Sequence, residues 1–432
     1  MRISAQPEGG GAEMIGWARD LYPMRRSLSG PGVRETFAYL KNLMPDLQVH
    51  EAVTGSQVLD WVVPDEWTLR DAYVEDENGR RIIDIADHGL HVVGYSEPVD
   101  TVMQLDELQN HLHSLPDQPE AIPYVTSYYR RRWGFCLSHK QREALPPGRY
   151  RVRIDADLKP GVVNYADLVL PGETDSEILL STYICHPMMV NNELSGPVVT
   201  TALARWLSHR DRRFTYRFVF VPETIGAVMY LSRHMEHLKS KTHAGFVLTC
   251  MGDERSFSFM PSRLGNTIAD RAARHVLDHF SPGYCAHSFL DRGSDQRQYC
   301  SPLVDLPVVS IMRTKYGDYP EYHTSLDDFS VVTAEGLDGG LGMMQAAIEV
   351  LEANKVYCAV VAGEPQLGKR GLYPTLSTKM SGLSMRPMMN FLAYADGKTD
   401  LIEIANCIGV DALSCAGFIQ DLLRHGLLRE ID

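Results

Sequence analysis

From about residue 151 to residue 355, short apolar runs alternate with stretches of helical period, and this alternation constrains the fold more than any other feature. RVRIDAD (151–157), NYADLVLP (164–171), EILLSTYICH (177–186), TYRFVFV (215–221), AGFVLTCM (244–251) and PVVSIM (307–312) read as strands. Helical patterns fill the gaps at about 196–208, 226–236, 267–280 and 334–353. Strands that are apolar along most of their length need cover on both faces. The expected class is therefore α/β, with a mostly parallel or mixed sheet sandwiched by helices.

At 432 residues the chain is too long for one small core. Two helices are expected at 12–22 and 33–44, separated by Ser29-Gly30-Pro31-Gly32, with Val33, Phe37, Leu40 and Leu43 at helical spacing. Between them and the alternating region the texture is β-like: WVVP (61–64), RRIIDIAD (80–87) and LHVVGYS (90–96), divided by Glu77-Asn78-Gly79 and Asp87-His88-Gly89. The division this predicts is a main domain of residues 1–55 and 151–360, with a β-rich domain inserted at 56–150. A third, small helical domain is expected at 366–432 after a Gly/Pro/Ser-bearing linker. There Leu401, Ile404, Ala405 and Ile408 form one stripe, Ala412, Cys415, Ile419 and Leu422 a second, and LLREI closes the unit, in winged helix-turn-helix spacing.

A net charge of -13 argues against a general nucleic-acid binder, because phosphate affinity rests on clustered Lys and Arg. In the C-terminal unit Asp396, Asp400, Glu403, Asp411 and Asp421 outnumber Lys398 and Arg424, so an interaction or homo-oligomerisation role is expected there rather than DNA binding. No run has the apolar length of a bilayer span, and Met1 to Gly11 has no apolar core of a secretory signal. Eight cysteines without a C-x-x-C pair suit reduced thiols. The expected setting is cytoplasmic.

In open α/β sheets, ligands bind beyond the carboxyl ends of the strands. His186 ends one strand, Glu223 follows another by two residues, Asp253 follows a third and His323 lies in the loop after a fourth. Imidazoles and carboxylates gathered at one edge are the donors zinc takes, and a catalytic site leaves one position open for water. Zinc lowers the pKa of that water to about 7, and a nearby carboxylate can carry the proton to a leaving amine.

The segment ICHPMMVNNELSGPVVTTALARWL (184–207) resembles the first metal motif of the zinc exopeptidase superfamily, the relatives of bacterial leucyl aminopeptidase and glutamate carboxypeptidase. RFVFVPETIGAVMYL (217–231) is similar to their glutamate motif and YPEYHTSLDDF (319–329) to their closing histidine motif. With GSDQRQYCSP (293–302) and YYRRRWGFC (128–136), nearly the whole chain resembles bacterial aminopeptidase-like proteins with a C-terminal winged helix. Such proteins are associated with polysaccharide or antibiotic biosynthesis. Where those relatives bridge two metals with an Asp, this chain has Asn192. Where they carry two adjacent glutamates it has Pro222-Glu223, and their Asp after the third strand is replaced within Thr249-Cys250-Met251. Fewer carboxylates hold fewer cations, so one zinc is expected rather than two.

On this resemblance His186 and His323 are ligands, with a carboxylate from Glu193 or Asp253, and Glu223 is the general base or a further ligand. Glu193 has the alternative of capping the helix near Ser195, and Asp253 that of a turn residue. Asn192, Asp295 and Tyr322 are expected around the ligands, Asp295 either orienting a histidine or opening a short helix. Arg132 and Trp133 are either a substrate lid or part of a solvated charge run. The implied function is zinc-dependent hydrolysis of an amide in a small-molecule or peptide-like substrate. The alternatives are a binding or scaffold protein on a degenerate peptidase fold and, last, a regulator acting through the winged helix.

Overall fold

Ile178-Leu179-Leu180 and Phe218-Val219-Phe220-Val221 leave their strands no solvent face, and Glu177–Tyr183 and Thr215–Val221 are buried at every residue. In the computed structural model, which describes residues 10–372 and 379–431, these strands lie adjacent within an eight-stranded sheet. Its order is Gln48–Val53, Val162–Leu170, Thr215–Val221, Glu177–Tyr183, Thr242–Val247, Val308–Met312, Ser258–Met260, Cys285–Ala286. The four strands from Thr215–Val221 to Val308–Met312 are parallel. Gln48–Val53 and Val162–Leu170 add antiparallel pairings at one edge. The class is the expected mixed α/β sheet flanked by helices.

The helix Ser195–Ser208 packs against Glu177–Tyr183 and is buried through most of its length. Its start lies so close to the sheet that a Cβ at Gly196 would meet the Leu248 carbonyl oxygen at 2.4 Å. This close approach seats the Asn191-Asn192-Glu193 turn beside the strand ends.

A separate sheet of four strands has the order Arg81–Asp84, Glu66–Glu75, Arg149–Lys159, Val99–Gln104. Arg149–Lys159 was expected in the main domain; it instead joins the β-rich segment, so the inserted β-structure runs through Lys159. Tyr150, Val152, Ile154 and Ala156 are buried while their neighbours face outward, the period-two pattern of a sheet with one solvent side. The stretch 90–96, expected as a strand, forms the 3-10 turn Gly89–His91 and isolated bridges to Phe135 and Thr126. From this inserted region a strap crosses the histidine loop. The Tyr124 amide donates to the His323 carbonyl at 2.9 Å, the Ser325 amide donates to the Ile122 carbonyl at 2.9 Å, and Pro123 bridges Thr324.

Two compact units emerge: Met1–Ala269 with Cys285–Gly342, and Asp270–Tyr284 with Met343–Asp432. In the second, Asp396–Asp400, Val356–Ala359 and Leu428–Ile431 form a three-stranded sheet beside the helices Leu401–Ile408 and Ala416–Arg424. Asp400 caps the first of these by accepting from the Glu403 amide, and Gly409 ends it at φ 68°. The helix Lys379–Tyr394 occupies part of what reads as linker and helical tail; Pro387 lies inside it and interrupts the helical signal. No single helix among the described residues is long and apolar enough to cross a membrane.

Candidate active site

The four parallel strands release their chains at one edge, and the loops there are strained. Of the seven non-glycine residues with positive φ among the described residues, Met188, Thr224 and Cys250 lie just beyond these strand ends and His323 lies further along the loop after Val308–Met312. Such conformations persist only where surrounding contacts impose them, and they gather at functional sites.

His186 is buried, and its Nδ1 donates to Glu193 Oε2 at 2.6 Å. Burial alone would lower the His186 pKa, but Cys185 and Glu193 beside Nδ1 more than offset it and raise it well above the ordinary imidazole value. The other nitrogen, Nε2, lies 3.6 Å from Glu223 Oε2, and that side chain is 23% exposed. The site is therefore deep yet reachable from solvent. The ring of His323 lies 5.4 Å from that of His186. Burial, then the neighbouring His186, push the His323 pKa down to about 3, so the ring is neutral and able to donate a lone pair.

Two aromatic rings frame the pair. Tyr322 stacks on His323 at 3.9 Å, and Tyr124 of the strap lies edge-on to both histidines at 5.0 and 5.1 Å. The Tyr124 and Tyr128 hydroxyls are 2.7 Å apart.

Glu223 and Asp295 form a carboxyl pair. The Thr224 amide donates to Asp295 Oδ1 at 2.7 Å. Burial, then the charge of Glu223, push Asp295 up to about 8, and burial likewise raises Glu223. Asp295 thus serves the glutamate turn, and the carboxylate that orients a histidine is Glu193.

Asp253 stands apart from this group. Its oxygens accept from the Asn191 side chain, the Arg255 and Thr314 amides and the Thr314 hydroxyl. Asn192 accepts from the Tyr183 hydroxyl at 3.1 Å, and its amide donates to Asp327 at 2.9 Å. Arg132 donates to Ser127 and the Thr126 carbonyl, and Trp133 stacks on His111 at 3.6 Å. Neither makes a hydrogen bond, ion pair or ring contact to His186, Glu223 or His323 among the described residues. The arginine-rich loop thus braces itself, and the strap before it supplies the rings that meet the histidines.

Three residues not singled out from the sequence complete the site. Asp327 accepts from the Asn191 and Asn192 amides and the Tyr319 hydroxyl, at 2.6, 2.9 and 2.9 Å. It ties the histidine loop to the turn that carries Glu193. Tyr124 and Arg26 reach the site from far away in sequence. The only faint signal for Asp327 is its place at the end of the histidine motif.

Two faces of His186 could meet a cation. On the Nδ1 face, Cys185, His186 and Glu193 offer donor atoms within 4.8 Å of one another. There burial pushes the Cys185 thiol up to about 11, which keeps it protonated, and Arg26 lies 3.9 Å from the Glu193 carboxylate. This face is taken by the hydrogen bond between His186 Nδ1 and Glu193, with the Arg26 guanidinium beside it. On the Nε2 face, the His186 and His323 imidazoles stand near Glu223 and Asp295, two carboxyls raised by burial, and these are residue types that zinc takes as ligands.

The chain matches the family described as a domain of unknown function, DUF4910, over residues 15–354, and a winged helix-turn-helix family over residues 355–430. A Clostridium acetobutylicum protein, provisionally named a polysaccharide biosynthesis protein with aminopeptidase-like domain, is 39% identical over 407 residues. The match covers 93% of this chain and 92% of that protein. A crystal structure from the same organism, provisionally described as a peptidase, superposes with a TM-score of 0.92 at 37% identity, covering 98% of this chain and 96% of the other. A zinc aminopeptidase from Bacillus subtilis shares the fold at a TM-score of 0.57 and 12% identity, over 80% of this chain and 95% of its own. The chain belongs to the DUF4910 family, as an aminopeptidase-like α/β protein with a C-terminal winged helix-turn-helix.

Proposed function

We propose that this protein is a zinc-dependent hydrolase acting on an amide bond of a small biosynthetic intermediate, with one ion on the Nε2 face of His186. The observation that carries the reading is the approach of His186 Nε2 to Glu223 Oε2 at 3.6 Å. Donor atoms sharing one tetrahedral zinc at 2.0–2.2 Å lie about 3.3 Å apart. His186, His323 and Glu223 would hold the ion. When bound, the ion supplies a Lewis-acid centre that polarises a carbonyl and acidifies a water. Glu193 holds the His186 ring, and Tyr124 and Tyr322 fix the histidine planes. With Glu223 engaged as a ligand, Asp295, pushed up to about 8 by burial and by Glu223 and so protonated at neutral pH, is the carboxyl placed to give a proton to the leaving amine and to be reprotonated from water. The aminopeptidase-like domain in the name of the Clostridium relative, and its provisional link to polysaccharide biosynthesis, support a substrate with an aminoacyl or acylamino group.

Metal quantification and anomalous diffraction on protein purified without chelators test this reading, together with Glu223→Gln and Asp295→Asn. One zinc per chain is expected, with E223Q losing most of its affinity. D295N is expected to bind zinc normally and lose about 10²- to 10⁴-fold in amide hydrolysis. If E223Q held zinc like the wild type and lost only activity, the glutamate would be the base. Absence of any zinc affinity would favour a degenerate fold used for binding, the reading that the lone glutamate motivates.

A further inference from the structure

Arg26 and Glu193 have side chains that are each 0% exposed, and a buried charge persists where the structure pairs it. Arg25 beside it is exposed and donates to the Arg70 carbonyl. Arg26 turns inward. Its Nη1 donates to the Leu21 carbonyl at 2.5 Å, closing the helix Gly11–Leu21. Its Nε donates to the His186 carbonyl at 3.2 Å and lies 3.9 Å from Glu193 Oε1. Two carbonyl acceptors, from a helix end and a strand end, and the ion-paired Glu193 carboxylate of a turn therefore converge on one guanidinium, whose planar fork can serve several directions at once.

We propose that Arg26 is a positioning residue for His186, pinning both its backbone carbonyl and the carboxylate that holds its Nδ1, so that Nε2 is presented toward Glu223. This rests on the reading that the Nε2 face receives the ion. Metal-bound histidines depend on the partner of their other nitrogen, and loss of such partners typically weakens metal affinity about 10- to 100-fold. Here the partner is itself held, by a residue 167 positions earlier in the chain. The Glu193 carboxylate alone could rotate about its side-chain bonds; with Arg26 beside Oε1, its Oε2 stays on the imidazole.

The test uses the full-length protein with selectively ¹⁵N-labelled histidine, zinc titration against a competing chelator, and the variants Arg26→Met, Arg26→Lys and His186→Ala. Arg26→Met is expected to weaken zinc binding about 10- to 100-fold and to shift the metal-free His186 ring resonances away from the Nδ1-donating form. Arg26→Lys, which keeps the charge but not the fork, should fall between it and the wild type. If R26M fails to fold, R26K carries the test. Wild-type zinc affinity and unchanged His186 resonances in R26K or R26M would reduce Arg26 to a helix-end support and overturn the proposal. Unchanged zinc affinity in H186A would sink the ion-site reading instead, and the metal-free ring resonances would still decide whether Arg26 sets the histidine.

Discussion

Glu193 Oε2 lies 2.6 Å from His186 Nδ1, with the two side chains only 0% and 4% exposed. This contact settles which nitrogen of the histidine is committed within the protein and which is left for chemistry. Glu193→Ala is expected to weaken zinc affinity about 10- to 100-fold. It should also cost about 3–5 kcal/mol of stability, since it strands a buried guanidinium. Glu193→Gln keeps an acceptor oxygen and should lose less affinity. Chelator competition and urea unfolding measure the two effects, and full zinc affinity in E193A would contradict the assignment of the faces.

Asp327 carries a pH signature. Burial pushes its pKa up to about 6 despite the three donors around it, against about 3.9 in an unfolded chain. The folded state thus holds the proton more tightly. The stability contributed by this group is fully present below about pH 4 and lost as pH rises through about 6, a change of about 2–3 kcal/mol. Denaturation of wild type and Asp327→Asn at pH 4.5 and pH 7 should show that this part of the pH dependence disappears in the variant. Equal pH slopes for the two proteins would refute it.

Tyr124 is expected to hold His323 in its left-handed backbone conformation, φ 56°. Tyr124→Ala removes the ring from both histidines, and amide exchange at Tyr124 and Ser325 should accelerate at least about tenfold as the strap opens locally. Tyr124→Phe keeps the ring and should leave that exchange near the wild-type rate. Hydrogen exchange read by mass spectrometry on the peptides spanning these residues is the measurement. Equal protection in the alanine variant would show that the backbone contacts alone secure the strap.

The winged helix-turn-helix raises the question of DNA, since such a helix can enter a major groove. The helix Ala416–Arg424 bears a single arginine, Arg424, and it is bonded to Asp421 at 3.1 Å. Fluorescence anisotropy with duplex DNA is expected to show no salt-dependent binding at 50 mM salt. Affinity falling steeply with added salt would reverse this expectation and return a regulatory role to consideration.

The sheet was legible because its parallel strands are apolar at successive residues, and the site because His186, Glu223 and His323 each follow such a strand. What escaped reading has a physical pattern too. Gln48–Val53 is a mostly exposed edge strand whose register shows only once Val162–Leu170 pairs with it. Arg149–Lys159 announced its sheet by alternation, a period that the surrounding α/β rhythm masked. Arg26, Tyr124 and Asp327 act through contacts made far along the chain, where no local spacing exists to be read. Asp253 shows the reverse case: the right residue at a strand end, spent on Asn191 and Thr314.

The strap from Ile122 to Tyr124 makes the histidine loop depend on the inserted segment. A chain trimmed back to the large sheet would retain His186, Glu223 and His323 in sequence, but the histidine loop would lose the segment hydrogen-bonded along it. The inserted β-structure is therefore not a detachable accessory. A chimera that grafts the histidine loop without the insertion should leave His323 without its Ile122–Tyr124 contacts.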